Sequence, residues 1–429
     1  MRIPIVALAV ALVVSAGCGD HRGDKAATPP STGQYVFVWA GDSAEKESDF
    51  ITVIDASPSS PRYGTVVTTL PTGVAGSHPH HTEDVIAPNG HLLANGFHAG
   101  RTWLFDLSSP TAPKIVTSFD SAAGFSHPHT FMRLANGNVL ATFQYAADSS
   151  PSSRGHAGQG MPMGGGNRTT GGLVEMDERG TVIRSARAAD SSIADKRIYP
   201  YSVLPIPALD RAVSTTTDMD SDNVKATGQW IQLWRFSDLK LLRSVALAPG
   251  PRGDENQLTG EPRLLADGKS VYVHTFNCGI YLLHGLESDQ PTSKLVYSFK
   301  GKYCGVPLRV GNFWLQTVSY AHALVALDIS DPEHPREVSR VDVGDDEQPH
   351  WIASDSTGRR IVMNSAGGGS GNRLFIIDFD PTTGALTMDG RFRDHGASRP
   401  GVRFSQRQWA PGKSYTAIPH GAVFSLSSF

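Results

Sequence analysis

The chain has 429 residues, a formal net charge of −3 and 39% apolar residues, enough for a packed core and against wholesale disorder. Balanced charge gives a polyanion no hold, which argues against nucleic acid as a partner. Three cysteines beside sixteen histidines exclude a disulfide-stapled miniprotein and a Cys-rich zinc or iron–sulfur site, and turn attention to imidazole.

Arg2 precedes an apolar run from Ile3 to Val14, followed by Ser15-Ala16-Gly17-Cys18. A charged start, a short apolar stretch and small residues make residues 1–17 a lipoprotein-type signal peptide. The run falls short of the roughly 20 residues that span a bilayer. Cys18 is the expected lipid anchor; the other reading is an ordinary signal peptide with an incidental cysteine. Residues 18–34 lack apolar periodicity and read as a flexible tether. The expected location is extracytoplasmic, membrane-anchored and facing the periplasm or cell exterior.

From Tyr35 to the end the chain reads as one all-β domain. Seven β-rich runs recur: Phe50–Asp55, Thr102–Asp106, Gly172–Asp177, Trp230–Arg235, Ile280–His284, Leu324–Asp328 and Leu374–Asp378. Five close on aspartate, and their ends lie 44 to 71 residues apart. The longest step contains a Gly/Ser/Pro-rich insertion at residues 146–171. Upstream of several runs stand Asn89-Gly90, Asn136-Gly137, Asp267-Gly268 and Thr357-Gly358, turn pairs that accept positive φ. Strand, turn, strand, hairpin at this period predicts a seven-bladed β-propeller. Pro419–Phe424 reads as the first strand of a blade and Tyr35–Trp39 as its second. Pairing the two would close the ring and remove exposed edges.

Proline–histidine pairs mark the predicted innermost strands: Pro79-His80-His81, Pro128-His129, Pro349-His350 and Pro419-His420. Tyr201, Glu261 and a position near Val306 correspond in the other blades. Equivalent residues around a propeller axis face one spot, and neutral imidazoles there suit copper, iron or zinc. Adjacent strand residues face opposite ways, so only one of His80 and His81 is expected to point inward. Glu83 and Glu261 are candidate bases, the alternative being ordinary strand carboxylates. Cys278 and Cys304 fall on neighbouring blades and are either a disulfide or two buried thiols.

Several segments resemble the selenium-binding protein family, which includes copper-dependent methanethiol oxidases. Asp49–Asp55 with Pro58–Gly64 is similar to that family's Asp-Tyr-Leu-Ala-Thr-Val-Asp-Val segment and its continuation. His80-His81-Thr82 resembles its His-His-Ser, and His127-Pro128-His129 its Leu-His-Thr-Ser-His. Tyr320-Ala321-His322 with Leu327–Pro332 resembles its Trp-Leu-His-Gly and Tyr-Asp-Ile-Ser-Asp-Pro. The resemblance implies a propeller with histidine-bound copper, oxidising a small thiol such as methanethiol with dioxygen to formaldehyde, hydrogen sulfide and peroxide. Its ligand candidates are His80 or His81, His129, His322 and His420, while His350 rests on the repeat alone. The family's Cys-x-x-Cys is replaced here by Ile86-Ala87-Pro88, so selenium binding does not carry over. Two other readings remain at this point: a non-catalytic propeller that binds a metal or ligand, and a histidine-bound iron oxygenase.

Overall fold

Each of the seven β-rich runs is the third strand of a four-stranded antiparallel blade, extended by a short fifth strand in two of the seven, in the computed structural model, which describes residues 34–147, 169–219, 228–365 and 371–426. The seven sheets are the blades of a β-propeller. Their innermost strands are Ala417–Phe424 in blade 1, Pro79–Thr82 in blade 2, Phe125–Arg133 in blade 3 and Pro200–Ile206 in blade 4. Thr259–Leu264, Cys304–Val310 and Pro349–Ser354 follow in blades 5 to 7. The expected lipid-anchor cysteine, Cys18, lies outside the described residues, as does most of the 146–171 insertion.

The repeated aspartates end the third strands by capping the turn that follows. Asp55 Oδ1 accepts the Ser57 N–H at 3.0 Å, Asp106 Oδ1 that of Ser108 at 3.0 Å and Asp328 Oδ1 that of Ser330 at 2.9 Å. These are Asx turns, in which a short carboxylate stands in for a backbone acceptor. In blade 7 the cap moves two residues on: Asp380, not Asp378, accepts the Thr382 N–H at 2.9 Å. Between first and second strands, Gly90, Gly137 and Gly268 have φ of 83°, 86° and 69°, as the turn pairs predict.

The core lies between blades. Phe37, Trp39, Ile51 and Val53 of blade 1 pack on Leu92, Trp103 and Phe105 of blade 2. Because each sheet is covered on both faces, the middle strands carry near-continuous apolar runs instead of a clean alternation. The ring closes as the sequence predicts. Tyr35–Asp42 pairs with Ala417–Phe424, for example Phe37 with Val423. The Trp351 indole of blade 7 donates to the Ala422 carbonyl at 2.9 Å, tying the closing strand to its neighbour.

Cys278, in the turn before the third strand of blade 5, is disulfide-bonded to Cys304 at the head of blade 6's innermost strand. The bond spans 26 residues of sequence, a loop length for which cross-linking typically stabilises by about 2–4 kcal/mol. The double variant Cys278→Ser/Cys304→Ser is therefore expected to unfold at lower guanidinium concentration. An unchanged midpoint would show that the bond contributes nothing to blade docking.

Candidate metal centre

All seven innermost strands carry one extra residue at the same place. In blade 2, Pro79 pairs with Gly96 and Thr82 with Ala94, so three steps on the inner strand face two on its neighbour. The same shift recurs in blades 1, 3, 4, 5, 6 and 7. Such a β-bulge bends the strand and re-aims side chains. The bulged pairs are His420-Gly421, His80-His81, His129-Thr130, Tyr201-Ser202, Gly260-Glu261, Gly305-Val306 and His350-Trp351. This overturns the expectation that only one of His80 and His81 faces the axis. Their rings stack with centroids 4.4 Å apart and planes 2° from parallel, and both are buried.

A polar side chain on the second strand holds each of five bulges. Asn95 Oδ1 accepts the His81 N–H at 2.6 Å, Thr142 Oγ1 that of Thr130 at 3.1 Å and Thr215 Oγ1 that of Ser202 at 3.2 Å. His274 Nδ1 takes the Glu261 N–H at 2.9 Å and Asn364 Oδ1 that of Trp351 at 3.1 Å. Three of these groups also reach the next blade. Asn95 Nδ2 donates to the Pro128 carbonyl at 2.7 Å, Thr142 Oγ1 to Tyr201 at 2.8 Å, and Asn364 Nδ2 to the carbonyl of His420. One side chain thus fixes both the bulge of its own blade and the strand bearing the next inward residue. The sequence reading missed this set. Its trace is a polar residue 12 to 14 positions after the bulge.

The histidines come from four consecutive blades. Following the ring, His350 lies 4.6 Å from His420, His420 4.3 Å from His80, and His80 4.8 Å from His129. His81 sits 4.3 Å from His129. Ligand-competent atoms of His80, His81 and His129 all fall within 4.8 Å of one another. The opposite arc presents Tyr201, Glu261 and Val306, so the centre has one imidazole side and one mixed side. Tyr201 Oη lies 3.3 Å from His81 Nε2, and Glu261 Oε1 lies 3.7 Å from His81 Nδ1.

Burial sets the protonation of this arc. It holds His80, His81 and His420 well below the ordinary imidazole value, with neighbouring imidazoles adding to the effect. Burial likewise lowers His129 to about 3 and His350 to about 4. All five are neutral near pH 7 with lone pairs available. His80 Nδ1, His129 Nε2, His420 Nδ1 and both nitrogens of His350 are buried without a hydrogen-bond partner. Buried polar atoms are rarely left so, and convergent unpaired imidazole nitrogens fit a copper, iron or zinc ion.

Two candidates stand apart from this arc. His322 follows the short turn Ser319–Ala321 of blade 6, and its Nδ1 lies 2.7 Å from the Glu347 carbonyl oxygen. Among the described residues it makes no ring contact with the central imidazoles. Glu83 has both oxygens engaged: Arg133 Nε donates to Oε1 at 2.8 Å and the Leu93 N–H to Oε2 at 2.8 Å. It is a buried brace between blades 2 and 3. Glu261, by contrast, keeps Oε1 without a hydrogen-bond partner while Oε2 accepts from Ser202 and Arg263. Burial raises its carboxyl above the ordinary value against the opposing pull of Arg263.

A cavity of about 410 Å³ opens onto the centre, lined in part by His80, His350, His420, Tyr201, Phe276 and Tyr303. A second, of about 430 Å³, lies among Arg373, Arg403 and Arg407 and contains no imidazole.

Fold and centre together define a seven-bladed propeller with a histidine-lined axis. No family model matches the chain. Over 110 residues it is 34% identical to the methanethiol oxidase of Hyphomicrobium sp, a stretch covering 24% of each protein. Over 150 residues it is 29% identical to selenium-binding protein 1 of Arabidopsis thaliana, covering 29% of this chain and 30% of that one. The chain thus aligns with under a third of these curated relatives' length. In three dimensions it resembles a hypothetical selenium-binding protein from Sulfolobus tokodaii, with TM-score 0.69 and 16% identity over 92% of this chain and 94% of that one. A periplasmic gluconolactonase of Pseudomonas aeruginosa gives TM-score 0.56 and 12% identity over 92% and 99%. These neighbours establish the propeller fold.

The neutral imidazoles make the metal-free protein acid-labile. Their folded values lie below the ordinary 6.5, so the unfolded chain takes up protons first. The stability they contribute is intact above pH 6.5 and lost as pH falls toward 4, at up to about 1.4 kcal/mol per pH unit for each histidine. Denaturant midpoints of metal-free protein should fall steeply over that window. A flat profile from pH 7 to 5 would contradict a neutral cluster.

Proposed function

We propose that the central imidazoles hold copper and that the protein oxidises a small thiol, such as methanethiol, with dioxygen. The observation that carries this reading is the cluster of His80, His81 and His129, whose ligand-competent atoms lie within 4.8 Å of one another, beside unpaired buried nitrogens of His350 and His420. Each unpaired buried group costs roughly 1–3 kcal/mol, and a metal ion removes that cost for each nitrogen that reaches it. His350 and His420 are the further candidate ligands. The matched stretch of a methanethiol oxidase supports a thiol substrate, and copper is what the family resemblance of His80-His81-Thr82 and His127-Pro128-His129 implies.

Bound copper would supply a one-electron acceptor able to pass electrons on to dioxygen. The overall change is balanced as methanethiol, dioxygen and water giving formaldehyde, hydrogen sulfide and hydrogen peroxide. Phe276 and Tyr303 line the cavity with apolar surface that suits a methyl group and limits water. Glu261, raised by burial, can hold a proton beside His81 Nδ1, while Tyr201 orients the ring from its other nitrogen.

Metal analysis of reconstituted protein tests the site. Wild type should retain copper, and His129→Ala and His420→Ala should each lose it. Copper-loaded wild type should consume dioxygen and release hydrogen sulfide when given methanethiol. Unchanged metal content in both variants would overturn the site. Bound copper without thiol turnover would leave a binding protein, and iron in the purified protein would replace copper in this reading.

We further propose that the chain is exported and anchored through lipid on Cys18. The signal-like run ending at that residue supports this, as does the Cys278–Cys304 disulfide, a bond typical of oxidising compartments. In a bacterial host, Cys18→Ala should move the protein from the membrane to the soluble fraction. Unaltered membrane association would overturn the anchor.

A further inference from the structure

The central nitrogens are screened from solvent, so a hydrated ion must exchange its water for protein ligands on the way in. Two histidines outside the repeated bulges stand on that path. His98 and His78 are both exposed, and their rings lie 4.1 Å apart. His78 is in turn 5.8 Å from His80, which touches His420 and His129. His78 and His80 both line the 410 Å³ cavity. The rings therefore form a single file from solvent to the centre.

The local sequence alone does not produce this file. Blade 3 repeats the same Ser-His-Pro-His pattern, and His127 has φ 57° like His78. There, however, the outer imidazole packs against Phe97 at 5.6 Å and Tyr145 at 5.1 Å. In blade 2 the corresponding ring instead meets a second histidine at the surface. Charge favours the same location. The cavity lining includes the exposed Glu45 and, deeper, the buried Asp42, Asp49 and Asp218, with no lysine or arginine among the described residues. A cleft lined by one sign of charge concentrates counter-ions and raises their rate of capture.

We propose that His98 and His78 form a surface station where a copper ion first binds, and from which it passes by stepwise ligand exchange to His80. The exchange swaps neutral ligands on one ion, with no change of oxidation state and no proton transferred. The inference rests on the copper-centre reading above, and its test separates the two.

Metal-free full-length protein is mixed rapidly with cupric ion while tryptophan fluorescence is followed. Trp351, 5.1 Å from His81, is a built-in reporter. His98→Ala alters an exposed residue, and His78→Asn keeps a side chain that tolerates positive φ. Both variants should load more slowly, by about tenfold or more at low salt, and reach wild-type copper content after desalting. Added salt should slow wild type toward them. Wild-type loading rates in both variants would overturn the station and leave the centre standing. A wild-type protein that takes up no copper would remove the centre, and this inference with it.

Discussion

The bulge in each innermost strand, held in five of the seven blades by a side chain from the strand behind it, is the constraint on which the centre depends. A regular strand would send every second residue away from the axis. One extra residue per blade breaks that alternation at the level where the seven blades meet. The freed N–H is not left bare: Asn95, Thr142, Thr215, His274 and Asn364 accept it in five blades. Since Asn95, Thr142 and Asn364 also grip the following blade, imidazole spacing is set by a hydrogen-bond belt around the ring. The inward residues themselves are left free for chemistry.

The same belt explains how the protein tolerates so much buried nitrogen. The freed backbone N–H groups of the bulges are satisfied by amide, hydroxyl and neutral imidazole partners, which add no charge. The imidazoles meet mainly one another, Trp351 and Tyr201, so nothing near them rewards protonation except Glu261 across the ring. The result is an asymmetric centre, with lone-pair donors on four consecutive blades and a buried carboxyl with a phenol on the other side. Glu83, with similar burial, is neutralised by Arg133 and belongs to the scaffold.

Much of this was legible in the sequence, for identifiable reasons. Third strands stood out because aspartate caps their turns, and ring closure because two half-blades lay at opposite ends of the repeat. His129, His350 and His420 were found through the prolines before them. The inward turn of both His80 and His81 was hidden, because a bulge leaves no mark in a single strand and shows only in the register against its partner. The family resemblance nominated His322, but its turn position ties the ring to a backbone carbonyl. Asn95 and Asn364 were invisible for the opposite reason, since polar residues in a strand look ordinary until their reach across two blades is known.

His420 lies on the strand that closes the ring, Ala417–Phe424, and this gives the centre a place in time. Every other inward imidazole is available once its own blade has formed. The arc between His350 and His80 is bridged only when that last segment docks beside Tyr35–Asp42. A chain with the ring still open therefore lacks the full imidazole arc, which is complete only when blade 1 is closed. The two chain segments that close blade 1 are therefore a precondition of the centre as much as of the ring.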